Sequence, residues 1–276
     1  MARSTKAPQQ KTPAPLPAKP TEKRAKSSAH KHKAWTKASV EAFFAALAQD
    51  NPDPRTELEF HNPFTLLAAV ALSAQATDKS VNRVTRLLFA QADHPAAMLA
   101  LGEGGIGEHI RTIGLWRNKA RNLMRMSQML CDLHGGEVPR DRAALEALPG
   151  VGRKTANVVL NEAFGEPTLA VDTHIFRVAN RTGLAPGANP LRVEMGLEAI
   201  VPGAYKKGAH HWLILHGRYV CLARKPRCVD CRVHDLCQWP EKTIAASAPS
   251  ARIKSATKTR AQVEHVPKPR SSPVKN

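Results

Sequence analysis

Lys154 stands two residues beyond the second glycine of Leu148-Pro149-Gly150-Val151-Gly152-Arg153-Lys154. An amine attacks carbon only when neutral, and an ordinary lysine is protonated at neutral pH. At the positive end of a helix, beside Arg153 and partly desolvated, the ammonium is destabilised and the amine becomes nucleophilic. A plainer reading stays open, in which Lys154 holds a phosphate as a point charge. Gly150 and Gly152 let the chain turn sharply at positive φ and bring backbone N–H groups close to a ligand. Those amides open a helix that starts near Gly152, a favourable seat for an anion. Such a helix–hairpin–helix element grips a nucleic-acid backbone without reading sequence, although Gly-x-Gly alone also suits an ordinary helical hairpin.

Asp172 precedes a predicted helix and is expected to cap it. A carboxylate there can also stabilise developing positive charge or take a proton. His174 and Arg177 follow on the same helix as structural or phosphate contacts. Four of the five cysteines fall as Cys221-x6-Cys228-x2-Cys231-x5-Cys237. Zinc usually takes two paired knuckles. A single Cys-x2-Cys with lone cysteines outside it suits an iron–sulfur cubane held by four thiolates somewhat better, and leaves zinc open. Arg224, Lys225, Arg227 and Arg232 interleave these cysteines and make the loop a basic surface.

The elements that must position these residues are helices. Apolar spacing of helical period runs through Val40–Leu47, Val81–Phe89, Lys119–His134, Arg142–Leu148, Gly152–Phe164, Thr173–Thr182, Leu191–Val201 and His210–Leu222. Asn62-Pro63 and His94-Pro95 read as cap and first-turn pairs, the second opening a short helix. Period-2 strands are hard to find, so the expected class is all-α. Of the net charge of +18 over 276 residues, 1–34 carry +8 and 245–276 carry +6, leaving +4 for 35–244. Both ends are rich in Pro, Ala, Ser, Thr and Lys, and are expected to be disordered basic tails, either solubilising or DNA-binding. The charge favours a polyanion. No apolar run approaches a membrane span.

The hairpin together with Val171-Asp172-Thr173-His174-Ile175-Phe176-Arg177 resembles the endonuclease III family of helix–hairpin–helix DNA glycosylases. The likeness extends through Ser73-Ala74-Gln75-Ala76-Thr77-Asp78, Thr112-Ile113-Gly114-Leu115, His211–Gly217 and the cysteines, and so covers nearly all of 35–244. It implies that Lys154 is the nucleophile that forms a Schiff base and that Asp172 is essential for catalysis. It also implies that Gln75 and Leu115, otherwise a helix end and a core leucine, fill the gap left by an extruded nucleotide. Gly150, Gly152 and Arg153 are the expected backbone contacts. The cysteines would hold a 4Fe–4S cluster. The substrate would be oxidised pyrimidines and abasic sites in duplex DNA, met by a monomer in the bacterial cytoplasm, on the nucleoid. The expected architecture is two helical lobes, one of 56–166 with the hairpin and the other of 35–55 joined to 167–244 with the cluster loop. Lys154 and Asp172 would face each other across the cleft. Two rivals stand beside this reading: a monofunctional adenine glycosylase of the same superfamily, which normally lacks the hairpin lysine, and a DNA-binding module without catalysis.

Overall fold

The computed structural model describes residues 33–243, and every regular element among them is helical. The tails expected over 1–34 and 245–276 fall outside these residues, apart from Lys33 and Ala34. The α-helices are α1 (Lys37–Asp50), α2 (Pro63–Leu72), α3 (Asp78–Gln91), α4 (Pro95–Ile110), α5 (Trp116–His134), α6 (Arg142–Ala147), α7 (Arg153–Phe164), α8 (Thr173–Thr182), α9 (Pro190–Ile200) and α10 (Lys206–Tyr219).

Local chemistry sets these boundaries. Asn62 caps α2 through a reciprocal pair with Thr65, and Pro63 fills the first helical position, where no N–H is needed. Thr77, Asp141 and Asn189 cap α3, α6 and α9 without the reciprocal bond, each accepting from the third amide of its helix. Two elements differ from expectation. The short helix expected after His94 runs to Ile110, with a break at Gly102, where φ is 66° and ψ is 172°. The last helix ends at Tyr219, before the first cysteine, because the Val220 carbonyl is taken by the amides of Leu222 and Arg227.

Buried apolar side chains gather into two cores. The first is built from α2 to α7, with Leu66, Leu67, Met98, Ile106, Met126, Leu130 and Leu145 fully enclosed. The second joins α1, through Phe43 and Phe44, to α8, α9 and α10, through Ile175, Val193 and Leu213. The chain passes between cores at Leu169 and Ala170, which belong to the second and the first respectively. Polar ties also join them. His211 Nε2 on α10 lies 2.5 Å from Glu162 on α7, and Arg218 at the end of α10 donates to Asp78 at 2.6 Å. No described helix is long and apolar enough to cross a membrane.

Candidate active site

α6 and α7 form the hairpin that carries Lys154. The Val151 amide returns to the Leu148 carbonyl at 3.1 Å. Gly150 makes the turn at φ +82°, and a Cβ there would meet Asn122 of α5 at 3.1 Å, so both conformation and space require glycine. Gly152 departs from the expected positive φ. At −103° it is extended and serves as the N-cap of α7, with no side chain capping the helix. Nothing lies within 4 Å of where its Cβ would be. The first amides of α7 thus have no side-chain cap, in a segment where Gly152, Arg153 and Lys154 are all exposed, the arrangement that receives an anion.

Lys154 occupies the second position of α7 and is exposed. The desolvation expected of it is absent; a ligand covering the hairpin would supply it. Its side chain borders a cavity of about 60 Å³ lined by Val70 and Val158 of the first core, Ile214 of the second, and the polar side chains of Asp78, His210 and Arg218. His210 is 3% exposed and its Nδ1 has no partner. Burial holds its pKa well below the ordinary value, and the charges of His211, Lys154 and Arg218 push the same way, so the imidazole is neutral. Sequence reading passed over His210. Its signal was two adjacent histidines inside an apolar helical run.

Arg153, expected against DNA, is exposed and ion-paired. Its guanidinium donates to buried Glu194 of α9 at 2.7 and 3.1 Å, and this bond raises its pKa further. Asn157 also donates to Glu194, at 3.1 Å.

Asp172 caps α8 as expected, its Oδ1 accepting from the His174 and Ile175 amides at 2.8 Å each. The second core reaches the cavity beside Lys154 through α10 rather than through Asp172. Arg177 donates to the Cys221 carbonyl at 3.0 Å and the Gly217 carbonyl at 2.8 Å and touches His174 Nδ1 at 3.2 Å, so its role is structural.

Gln75 and Leu115 share an uncommon backbone. Their φ values are 55° and 59°, and among the described residues only Lys225, at 51°, joins them as a non-glycine residue at positive φ. Each such residue costs about 1 kcal/mol. Strain of this kind persists where the surroundings enforce it, and it clusters at functional sites. Leu115 is 57% exposed, not the core leucine of the plainer reading, and Gln75 is exposed as well. Their loops approach each other, since a Cβ on Gly114 would lie 3.9 Å from the Gln75 carbonyl oxygen. Leu115, Ala74 and the hairpin residues Pro149 and Gly150 border one cavity of about 160 Å³. The structure thus gathers the hairpin and both wedge candidates on one side of α5.

Cys221, Cys228, Cys231 and Cys237 are free thiols that line a single cavity whose wall includes no carboxylate. Burial pushes the Cys231 thiol up to about 11, and the charges of the other three act in the same direction. Arg181 Nη1 stands 3.7 Å from Cys221 Sγ, and His216 Nε2 stands 3.8 Å from Cys231 Sγ. One buried and three half-buried thiols, mutually repelling soft donors, fit a soft, positively charged centre. Among the described residues, no group of three or more His, Cys, Asp or Glu side chains closes tightly enough for a single metal ion. The fifth cysteine, Cys131, is half-buried on α5.

Residues 68–202 match the family described as "HhH-GPD superfamily base excision DNA repair protein". Endonuclease III of Escherichia coli is 61% identical over 196 residues, which span 71% of this chain and 93% of that protein. Endonuclease III of Haemophilus influenzae is 58% identical over the same shares of both chains. A solved structure described as a trapped endonuclease III–DNA covalent intermediate is 46% identical, with a TM-score of 0.70, covering 74% of this chain and 97% of that one. The fold and hairpin thus define a helix–hairpin–helix protein of base excision repair. Within that class, the chain belongs to the endonuclease III family.

Proposed function

We propose that this protein is a bifunctional DNA glycosylase and abasic-site lyase, acting as a monomer on damaged pyrimidines, oxidised ones above all, in duplex DNA. The observation that carries the reading is Lys154, an exposed amine in the first turn of an uncapped helix, beside a cavity between the two cores. DNA phosphates rest on the α7 amides behind Gly152 and on the turn at Gly150, and thereby cover Lys154. Gln75 and Leu115 enter the stack as the damaged nucleotide leaves it; unstacking costs a few kcal/mol, and a wedge recovers part of that. Arg153 holds the hairpin against α9, and its part in DNA contact is indirect. The lobes are 56–166 around the first core and 35–55 with 167–244 around the second.

The Lys154 amine attacks C1′. The N–C1′ bond forms while the glycosidic bond breaks, and the base departs with its electron pair and a proton. Opening of the sugar ring gives the Schiff base. Loss of a proton from C2′ then expels the 3′ phosphate by β-elimination. The Asp172 carboxylate stabilises positive charge on the sugar. Cys221, Cys228, Cys231 and Cys237 would hold a 4Fe–4S cluster, which supplies a rigid cross-link for the loop that ends in the second core. We place the protein in the bacterial cytoplasm, on the nucleoid.

Borohydride reduces a Schiff base to a stable amine, so protein, lesion duplex and borohydride together should give a covalent adduct. Lys154→Gln should bind the duplex, form no adduct and cut no strand. An adduct at wild-type rate in that variant would assign the chemistry to another amine. Base release by the wild type with no adduct would make the enzyme monofunctional.

A further inference from the structure

Between His109 and Cys131 the chain holds five Lys/Arg and no Asp/Glu, a local excess hidden by the near-balance of the middle region. Lys119 turns inward and is 8% exposed. Arg117, Arg121 and Arg125 are exposed and repeat every four residues, so they form one edge of α5. At 1.5 Å per residue the edge is roughly 12 Å long, the rise of about three to four base-pair steps. It begins two residues after the exposed Leu115. The adjoining face of α5 carries Asn118 and Asn122, which border a cavity shared with Pro149 and Gly150 of the hairpin.

We propose that Arg117, Arg121 and Arg125 track the phosphate backbone of the duplex flanking the extruded nucleotide, a footprint beyond the hairpin and the wedge residues. The proposal rests on the glycosylase reading for the position of the DNA. Three features favour a polyphosphate. First, the edge is scarcely neutralised: among the described residues only Glu103 reaches it, at 3.6 Å from Arg121, with both side chains about half exposed. Such a pair contributes little and exchanges readily for a phosphate. Second, the Arg125 side chain makes no ion pair or hydrogen bond among the described residues. Third, Arg117 is held in place, its guanidinium lying 4.3 Å over the Trp116 ring. That indole packs so closely on α4 that a Cβ on Gly107 would meet it at 3.0 Å. A guanidinium stacked on a fixed ring has less entropy to lose on binding. An acidic protein segment is the other polyanion that an arginine edge could meet, but the wedge residue at its start favours DNA.

The test compares the full chain with the Arg117→Ala/Arg121→Ala/Arg125→Ala variant in binding lesion duplexes across salt concentrations. Each lost phosphate contact lowers the slope of log K against log salt by about 0.9. If all three arginines contact phosphates, the affinity advantage of the wild type should shrink about 40-fold between 50 and 200 mM salt. The single-turnover cleavage rate at saturating protein should not change. Lysine at all three positions should restore the slope. Shortening the duplex on one side of the lesion should abolish the difference between the proteins; shortening the other side should not. An unchanged slope in the triple variant overturns the proposal and leaves the edge to an acidic protein. Equal sensitivity to shortening on both sides also overturns it, because that is a diffuse field rather than a tracked edge. A wild type that neither cuts nor traps lesion DNA sinks the glycosylase reading separately, and the slopes remain measurable on undamaged duplex.

Discussion

A buried lysine amine without a hydrogen-bond partner is a cost that the fold carries. Lys119 is 8% exposed and its Nζ has no hydrogen-bond partner. Burial lowers its pKa below the ordinary lysine value of 10.5. The sign follows from linkage: the unfolded chain holds this proton up to higher pH than the folded one, so stability rises with pH between the lowered value and 10.5. Below that window the whole penalty is present. Lys119→Met keeps the length and removes the charge, so it should stabilise the protein by about 1 kcal/mol at pH 7. The gain should shrink as pH rises toward 10.5, as urea unfolding at pH 7 and pH 10 would read; the same gain at both pH values would refute the charge penalty. Asp172 separates two roles at the same scale. Asparagine keeps the oxygen that accepts the two α8 amides. Asp172→Asn should therefore preserve the melting temperature and slow base release about a hundredfold or more. Asp172→Ala should do both harms, losing about 1 kcal/mol of stability with the cap. Base release at wild-type rate in Asp172→Asn would leave the carboxylate with capping alone.

At the scale of elements, the hairpin is braced by α9. Glu194 is 4% exposed and accepts from Arg153 and Asn157 of α7. Glu194→Ala takes one acceptor from the buried Asn157 amide, which keeps its bond to the Leu169 carbonyl, and the near acceptor from the partly solvated Arg153 guanidinium, which keeps only Glu146 at 4.0 Å. It should cost about 2 kcal/mol, below the cost of breaking a fully buried pair because Arg153 remains partly solvated. Urea unfolding measures this, and a loss under half a kcal/mol would show that α7 is positioned without α9. The brace was not legible in the sequence, since two charges 41 positions apart carry no local signal. The helices were legible where cap and pattern agree, as at Asn62-Pro63 and at Asp172 before Thr173. α4 was read too short because its glycines look like breakers. Gly102 does break it, but Gly107 serves packing, making room for the Trp116 ring. Lys154 and the cysteines could be named from motif and resemblance. The left-handed backbone of Gln75 and Leu115 could not, because neither residue type prefers it; it arises where their two loops meet.

For the whole molecule, the two cores predict where loss of the proposed cluster would be felt. The cysteine loop packs Val233 and Leu236 against the second core, and Cys221 and Cys231 adjoin the same group of side chains. Lys242 Nζ closes the loop by donating to the His234 and Cys237 carbonyls at 2.8 Å each. None of the loop's residues belongs to the first core, which holds the hairpin and Lys154 in place. Without a metal centre the four thiols have only weak hydrogen bonds in the cavity, and a loop held by its ligands loses the binding free energy that ordered it. The purified protein should contain iron and sulfide and little zinc. Cys228→Ser should lose the iron and speed amide hydrogen exchange in α10, α8 and α1, which share the second core. Protection in α5 and α7 should persist, because opening is local to a cooperative unit. Trapping of a pre-formed abasic site should then weaken through poorer DNA binding, while the adduct, once formed, still involves Lys154. Stoichiometric zinc in the wild type would replace the iron–sulfur assignment. Equal loss of protection in both cores would show that they unfold as one unit and that the division into lobes has no energetic meaning.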